Sequence, residues 1–170
     1  TLFANGREWV LDPGRLNYRH KEYKTWVKHT IAHNTVIVDR RSQLATRGKL
    51  LWFDGGDGKY SACVATANNV YPETQLSRYV LLTPELLVDV FDVKRSSEAT
   101  LDWALHVRGG GMQPVGEMGG GTEDRPGTEQ GYQHLEGARA WRTSAPTRWD
   151  FRANEKRMRV WLNGAEDQTI

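Results

Sequence analysis

The chain has 170 residues, and its 23 Lys and Arg face 21 Asp and Glu for a formal charge of +2. So balanced a composition offers no basic stripe for nucleic acid, while the length suits one domain, or a piece of one, with a real core. The single cysteine, Cys63, excludes an internal disulfide, and no stretch approaches the ~20 apolar residues of a membrane span. The chain does not begin with Met and opens inside an apolar patch, Leu2-Phe3, so a missing signal peptide there carries no weight.

In chain order the signals are those of strands, with no sustained helical apolar stripe. Glu8 to Leu11 is short and apolar, and Thr35 to Val38 is β-branched. Lys49 to Phe53 runs into Asp54-Gly55-Gly56-Asp57-Gly58, a turn cluster, with Tyr60 to Thr66 as its hairpin partner. Arg78 to Thr83 and Leu86 to Val93 flank a reversal at Thr83-Pro84-Glu85. Thr100 to Val107 has the cleanest period of two, with Leu101, Trp103, Leu105 and Val107 expected on one face and His106 on the other.

Residues 109–131 are rich in glycine and poor in large apolar side chains, which predicts a long surface loop. Strands are expected again at Tyr132 to Glu136, Ala138 to Thr143, Trp149 to Arg152 and Arg157 to Leu162, with Asn163-Gly164 as a hairpin signal. Strands without βαβ alternation predict an all-β fold, an antiparallel stacked β-sandwich over 1–170, cut at both ends from a larger β-structure.

One motif dominates: Thr30 to Gln43 reads T-x-x-H-N-T-V-x-V-D-x-x-x-Q, a histidine at the mouth of a β-branched strand. Upstream stand Leu11-Asp12-Pro13-Gly14 and Tyr18. Asp12 and His33 are both good metal ligands, but two ligands do not make a zinc site. A third would come from His20, His29 or His106, or from outside the chain. The alternative is structural: Asp12 capping its own Pro-Gly turn and His33 hydrogen-bonded at a sheet edge. Asn34 either holds the chain turn or hydrogen-bonds a ligand carboxylate.

Tyr18, Tyr23 and Trp26, interleaved with Arg15, Arg19, Lys21, Lys24 and Lys28, suit stacking on sugars and pairing with uronate or sulfate. They equally suit single-stranded nucleic acid or a solvated loop with its aromatics tucked inward. His106 reads as an exposed or hydrogen-bonded structural histidine, and His134, beside the glycine loop, carries no usable signal. The glycine runs lack the Lys-Ser/Thr of a phosphate loop, G-x-S-x-G is absent, and Cys63 sits mid-strand as an inert thiol.

These residues resemble the heparinase II/III-like polysaccharide lyases. In that family a strand with D-x-G leads to a tyrosine and then to T-x-x-H-N-T-V-x-V-D-G-x-x-Q. Here the matching stretch is Asn5-Gly6, Asp12-Pro13-Gly14, Tyr18 and Thr30 to Gln43, from about Phe3 onward. Arg40 departs from the pattern, standing where the family usually has glycine.

The resemblance implies the C-terminal, supersandwich-like β-part of an enzyme whose N-terminal α/α toroid carries catalytic residues. The reaction is β-elimination on an acidic, uronic-acid polysaccharide, alginate-like or glycosaminoglycan-like. It implies a structural zinc on Asp12 and His33, with the third ligand in an H-x-H-x-D motif expected upstream of Thr1. Substrate contacts are expected at Tyr18, Arg19 and Asn34, and no catalytic residue is assigned within these 170 residues. The chain by itself is therefore expected to be inactive. The parent would work in the periplasm or be secreted, with neither nucleic acid nor membrane as partner. The rival reading is a non-catalytic carbohydrate-binding or structural sandwich.

Overall fold

The computed structural model describes residues 1–109, 111–116, 118, 120–163 and 168–170. Its strands pair antiparallel in every registered ladder, which gives the expected all-β class. The chain divides into two compact units, one of residues 1–35 and 103–170, the other of residues 36–102.

The first unit opens with a hairpin, β1 (Leu2–Ala4) against β2 (Arg7–Val10). Its two-residue turn is Asn5-Gly6, with φ of 52° and 71°. Both residues take the left-handed conformation, which Asn-Gly adopts at low cost. That signal was in the sequence, though the strand reading began only at Glu8. Past β2 the chain makes a π-helical turn, Tyr23–Val27, and a 3-10 turn, Thr30–Ala32, where extended or irregular chain was expected.

In the second unit β3 (Val36–Val38) leads to a four-stranded meander of β4 (Lys49–Asp54), β5 (Ser61–Tyr71), β6 (Thr74–Leu82) and β7 (Leu87–Arg95). The sequence placed all four, and the Asp54 to Gly58 turn forms as expected, Asp54 capping it through the Gly56 N–H. Val36 and Val38 pack with Val70, Tyr71 and Leu76, and Ala67, Phe91, Val93 and Ala99 close around them. The far end of the sheet leaves Leu50, Trp52, Phe53, Tyr79 and Val90 exposed. Cys63 lies within β5, half-buried.

A tight turn at Asp39 and Arg40 ends β3, both residues at positive φ (51° and 55°). This explains the family's glycine at position 40: the backbone there favours a residue without Cβ. Asp39 accepts the Thr100 N–H and pairs with Arg95 at 3.3 Å, tying the turn into its own unit.

The strand expected over Thr100 to Val107 is shorter. Only β8 (Leu101–Trp103), beside β3, is continuous, with an isolated bridge from Val107 to Val10. Burial does not follow the alternation: Leu101 and Trp103 are exposed and Ala104 is buried, while Leu105, His106 and Val107 are all half-buried. Ladder pairing stops because the next backbone groups find other partners. The Ala104 N–H goes to the Thr35 carbonyl and the His106 N–H to a side chain.

Back in the first unit, β9 (Met112–Pro114) lies within the predicted glycine-rich loop and adds to β13 (Thr147–Ala153), which also pairs with β14 (Lys156–Leu162). Glycine-poor spans between turns are long enough for such short strands. Ladders of two residues join β10 (Thr122–Glu123) to β11 (Arg139–Ala140) and β12 (Arg142–Thr143) to β15 (Gln168–Thr169). Trp149, 1% exposed, anchors this core, edge-on to Trp141 at 5.0 Å.

Tyr132 to Glu136, expected as a strand, is instead a 3-10 turn over Tyr132–His134. Gly131 at φ 92° redirects the chain just before it, and Tyr132 enters the core as the first residue of that turn. The Asn163-Gly164 hairpin signal falls partly outside the described residues.

Candidate functional site

The site grows from two corners of the first unit. After β2 the chain turns at Asp12-Pro13-Gly14, and the Asp12 Oδ1 accepts the Gly14 N–H at 3.0 Å. Proline fixes φ ahead of Gly14, whose φ of +65° completes the turn. The second oxygen, Oδ2, is thereby aimed away from the turn and stands 2.7 Å from the His33 Nδ1. One carboxylate thus caps its own turn, as the structural alternative expected, and also meets the histidine.

His33 closes the 3-10 turn in an extended conformation, φ −113° and ψ 157°. Its other ring nitrogen, Nε2, is 3.0 Å from the carbonyl of Val27, the last residue of the π-helical turn. Each nitrogen faces an acceptor, a carboxylate on one side and a carbonyl on the other, whereas a neutral ring donates to only one of them. Both members of the pair are about two-fifths exposed, 37% for His33 and 41% for Asp12, within reach of a ligand from solvent. Partial burial pushes the Asp12 carboxyl up. Hydrogen bonds from the His33 side chain and the Gly14 N–H, with the charge of His33, outweigh burial and hold it below its ordinary value.

The pair fits two corners of a metal site. A metal-bound histidine usually gives its remaining N–H to a carbonyl or carboxylate, and the Val27 carbonyl stands where that N–H would point. At 2.7 Å the pair has hydrogen-bond spacing. Two donors on a tetrahedral zinc, at bond lengths of about 2.0–2.2 Å, stand roughly 3.3 Å apart. Opening by about half an ångström would admit the ion. Among the described residues no third His, Cys, Asp or Glu joins the pair.

The histidines considered as third ligand lie elsewhere. The His20 Nδ1 accepts the Glu22 N–H. His29 precedes the 3-10 turn, its Cβ close to Gly131. The His106 Nε2 is 2.7 Å from the Ile31 carbonyl, with its ring edge-on to Trp26 at 5.6 Å.

Asn34 sits beside the pair, and its amide spans two backbone groups. Nδ2 donates to the Leu11 carbonyl, and Oδ1 accepts the His106 N–H at 2.7 Å. The Leu11 N–H in turn donates to the His106 carbonyl at 2.8 Å. One amide therefore stitches together the segments that carry Asp12, His33 and His106. Sequence reasoning singled out Asn34 but had no means of finding its partner 72 residues away.

Tyr18 is 64% exposed and meets Tyr23 edge-to-face at 4.8 Å. The Arg15 guanidinium lies 5.6 Å from the Tyr18 ring centre, and the Lys28 ammonium 5.9 Å from that of Tyr23. Arg19 is exposed on the same turn, its backbone N–H held by the Asn17 side chain. Trp26 is only half exposed, wedged between His106 and His134. The aromatic and basic run thus presents one exposed ring, Tyr18, with Tyr23 and Trp26 both half-buried behind it. The π-helical turn that carries Tyr23 and Trp26 was not legible from the sequence.

Comparison with known proteins bears on the family of the chain. The chain is 29% identical over 164 residues to the "Exo-oligoalginate lyase" of Saccharophagus degradans (strain 2-40), covering 79% of this chain and 22% of that protein. It is 28% identical over 159 residues to the "Alginate lyase" of Stenotrophomonas maltophilia (strain K279a), covering 79% and 21%. The chain thus spans about a fifth of the length of these curated relatives. The model of the family described as "Heparinase II/III-like, C-terminal" matches residues 1–165, which include Asp12, Tyr18, His33 and Asn34, and the chain belongs to that family.

Proposed function

We propose that this chain is the β-sandwich part of a polysaccharide lyase that cleaves an acidic, uronic-acid polysaccharide of the alginate type by β-elimination. The observation that carries the reading is the Asp12–His33 pair, set within a chain of this family. The names of both relatives point to alginate rather than a glycosaminoglycan. A purely carbohydrate-binding sandwich has no comparable support.

In the reaction a base removes the proton from C5 of the uronate. Its electron pair forms the C4–C5 double bond as the C4–O bond breaks, and an acid protonates the leaving oxygen. General acid–base help of this kind contributes about 10²–10⁴-fold. The acid and base are assigned outside this chain, to an N-terminal α/α toroid, so the 170 residues alone are expected to be inactive.

The residues at hand bind and orient. Tyr18 offers an exposed ring for a sugar face, and Arg19, with Arg15 and Lys28 nearby, offers positive charge for uronate carboxylates. Asn34 has a second amide N–H beyond the one on Leu11. Asp12 and His33 are proposed to hold a zinc ion, with a further ligand from upstream. When bound, it would brace the site's loops rather than enter the chemistry. An intact polysaccharide does not cross a membrane unaided, so the protein is placed in the periplasm or outside the cell.

The test is the ultraviolet absorbance of the unsaturated product, followed for the full-length protein on alginate, heparan sulfate and hyaluronan. Product from alginate, sharply reduced by His33→Ala, is the expected result. No product from any of the three would sink the lyase reading and leave the binding module.

A further inference from the structure

We propose that Asn34 is the positioning residue of this site, fixing the separation of Asp12 and His33. The inference rests on the reading of that pair as metal ligands, and its evidence is the bonding of the amide. Asp12 follows Leu11 and His33 precedes Asn34 in the chain, so the Asn34–Leu11 hydrogen bond joins the residues adjacent to the two ligands. The other half of the amide accepts the His106 N–H, and the Leu11 N–H closes the circuit on the His106 carbonyl.

Without the amide the Leu11–His106 bond remains, but among the described residues no other bond of this circuit reaches Asn34. The His106 side chain supports the same loop from beneath, its Nε2 2.7 Å from the carbonyl of Ile31, two residues before His33. The Val27 carbonyl then orients the ring itself. Two coplanar amide contacts also set direction as well as distance, which a hydroxyl or a carboxylate at position 34 would not reproduce. Groups that orient a ligand without touching the metal typically alter its affinity by about 10–100-fold.

The test uses the full-length protein with Asn34→Ala and Asn34→Ser, the latter a milder change that leaves room for a water to take the freed groups. Co²⁺ titration is read by its visible d–d absorbance. Diethyl pyrocarbonate labelling of the metal-free protein is mapped by mass spectrometry, with His20 as internal reference. Both variants are expected to bind Co²⁺ about 10–100-fold more weakly and to label faster at His33, at temperatures where each is fully folded. An affinity within twofold of wild type with unchanged His33 labelling overturns the proposal. Should wild-type protein itself fail to bind Co²⁺, the metal reading falls, and labelling alone decides. Faster labelling of His33 in the variants then supports positioning, and equal labelling refutes it.

Discussion

Gly131→Ala tests how the site's loops are packed. Gly131 sits at φ 92° and ψ −20°, where an L-residue is strained. A Cβ built there would lie 2.5 Å from Ile31 Cγ2 and 3.0 Å from His29 Cβ. Ile31 is 5% exposed, so the contact falls on a side chain inside the core rather than at the surface. Left-handed backbone costs about 1–2 kcal/mol and overpacking about 1–3 kcal/mol. Alanine returns roughly 0.4–1 kcal/mol by restricting the unfolded chain. The net loss is therefore about 1–4.5 kcal/mol, and in a chain of this size each kcal/mol moves Tm by about 2–4 °C.

Calorimetry should show Tm falling by roughly 2–18 °C. Gly137→Ala is the control, because it shares the positive φ (62°) and has nothing within 4 Å of the built Cβ. Its loss should stay near 1 kcal/mol, the backbone contribution alone. Equal losses at the two positions would refute the packing argument and leave only backbone strain.

The remaining predictions concern other parts of the fold. Val38→Ala, at a side chain 1% exposed within the second unit's core, should cost about 2 kcal/mol from lost burial and the cavity left behind; calorimetry showing no loss would contradict that core. Arg40→Gly relieves φ 55° but loses the exposed Arg40–Asp102 ion pair at 3.9 Å. The net gain should reach at most about 1 kcal/mol, and a clear drop in Tm would contradict the strain argument.

Asp150 sits under Arg159, whose paired hydrogen bonds, at 2.6 and 2.9 Å, hold its carboxyl below the ordinary 3.8 against burial, with the charges of Arg159, Arg157 and Arg152 adding. A depressed carboxylate contributes stability that is complete above its unfolded value and lost as pH falls through its folded one. Melts taken from neutral pH down into the acid range should therefore decline less steeply for Asp150→Asn than for wild type; parallel curves would contradict the assignment.

The four meander strands of the second unit were legible because each is long, rich in β-branched or aromatic residues, and bounded by turns that carry Gly or Pro. Tyr132 and Thr100 to Val107 were not, for different reasons. At Tyr132 the deciding signal is the backbone of Gly131, which a periodicity argument does not see. In Thr100 to Val107 the alternation is real, but the His106 N–H is claimed by the Asn34 side chain, and nothing local announces it. Leu50 to Phe53 show another limit, since four successive apolar residues on β4 are all exposed and their apolar character alone does not say whether they are covered.

The site divides similarly. Asp12 and His33 were paired by motif, and the structure brings their side chains to 2.7 Å. The Val27 carbonyl and the bonds that Asn34 makes are contacts to backbone, which residue identity does not encode. Arg40 lies between the two cases: its departure from the family glycine was visible, and its positive φ supplies the reason.

The most direct test of the metal reading is the zinc content of the full-length protein, measured by mass spectrometry of the purified wild type, Asp12→Ala and His33→Ala. The account predicts about one zinc per chain in the wild type and loss of it in both variants. Zinc retained at full stoichiometry in either folded variant, or absent from the wild type after zinc loading, would contradict it.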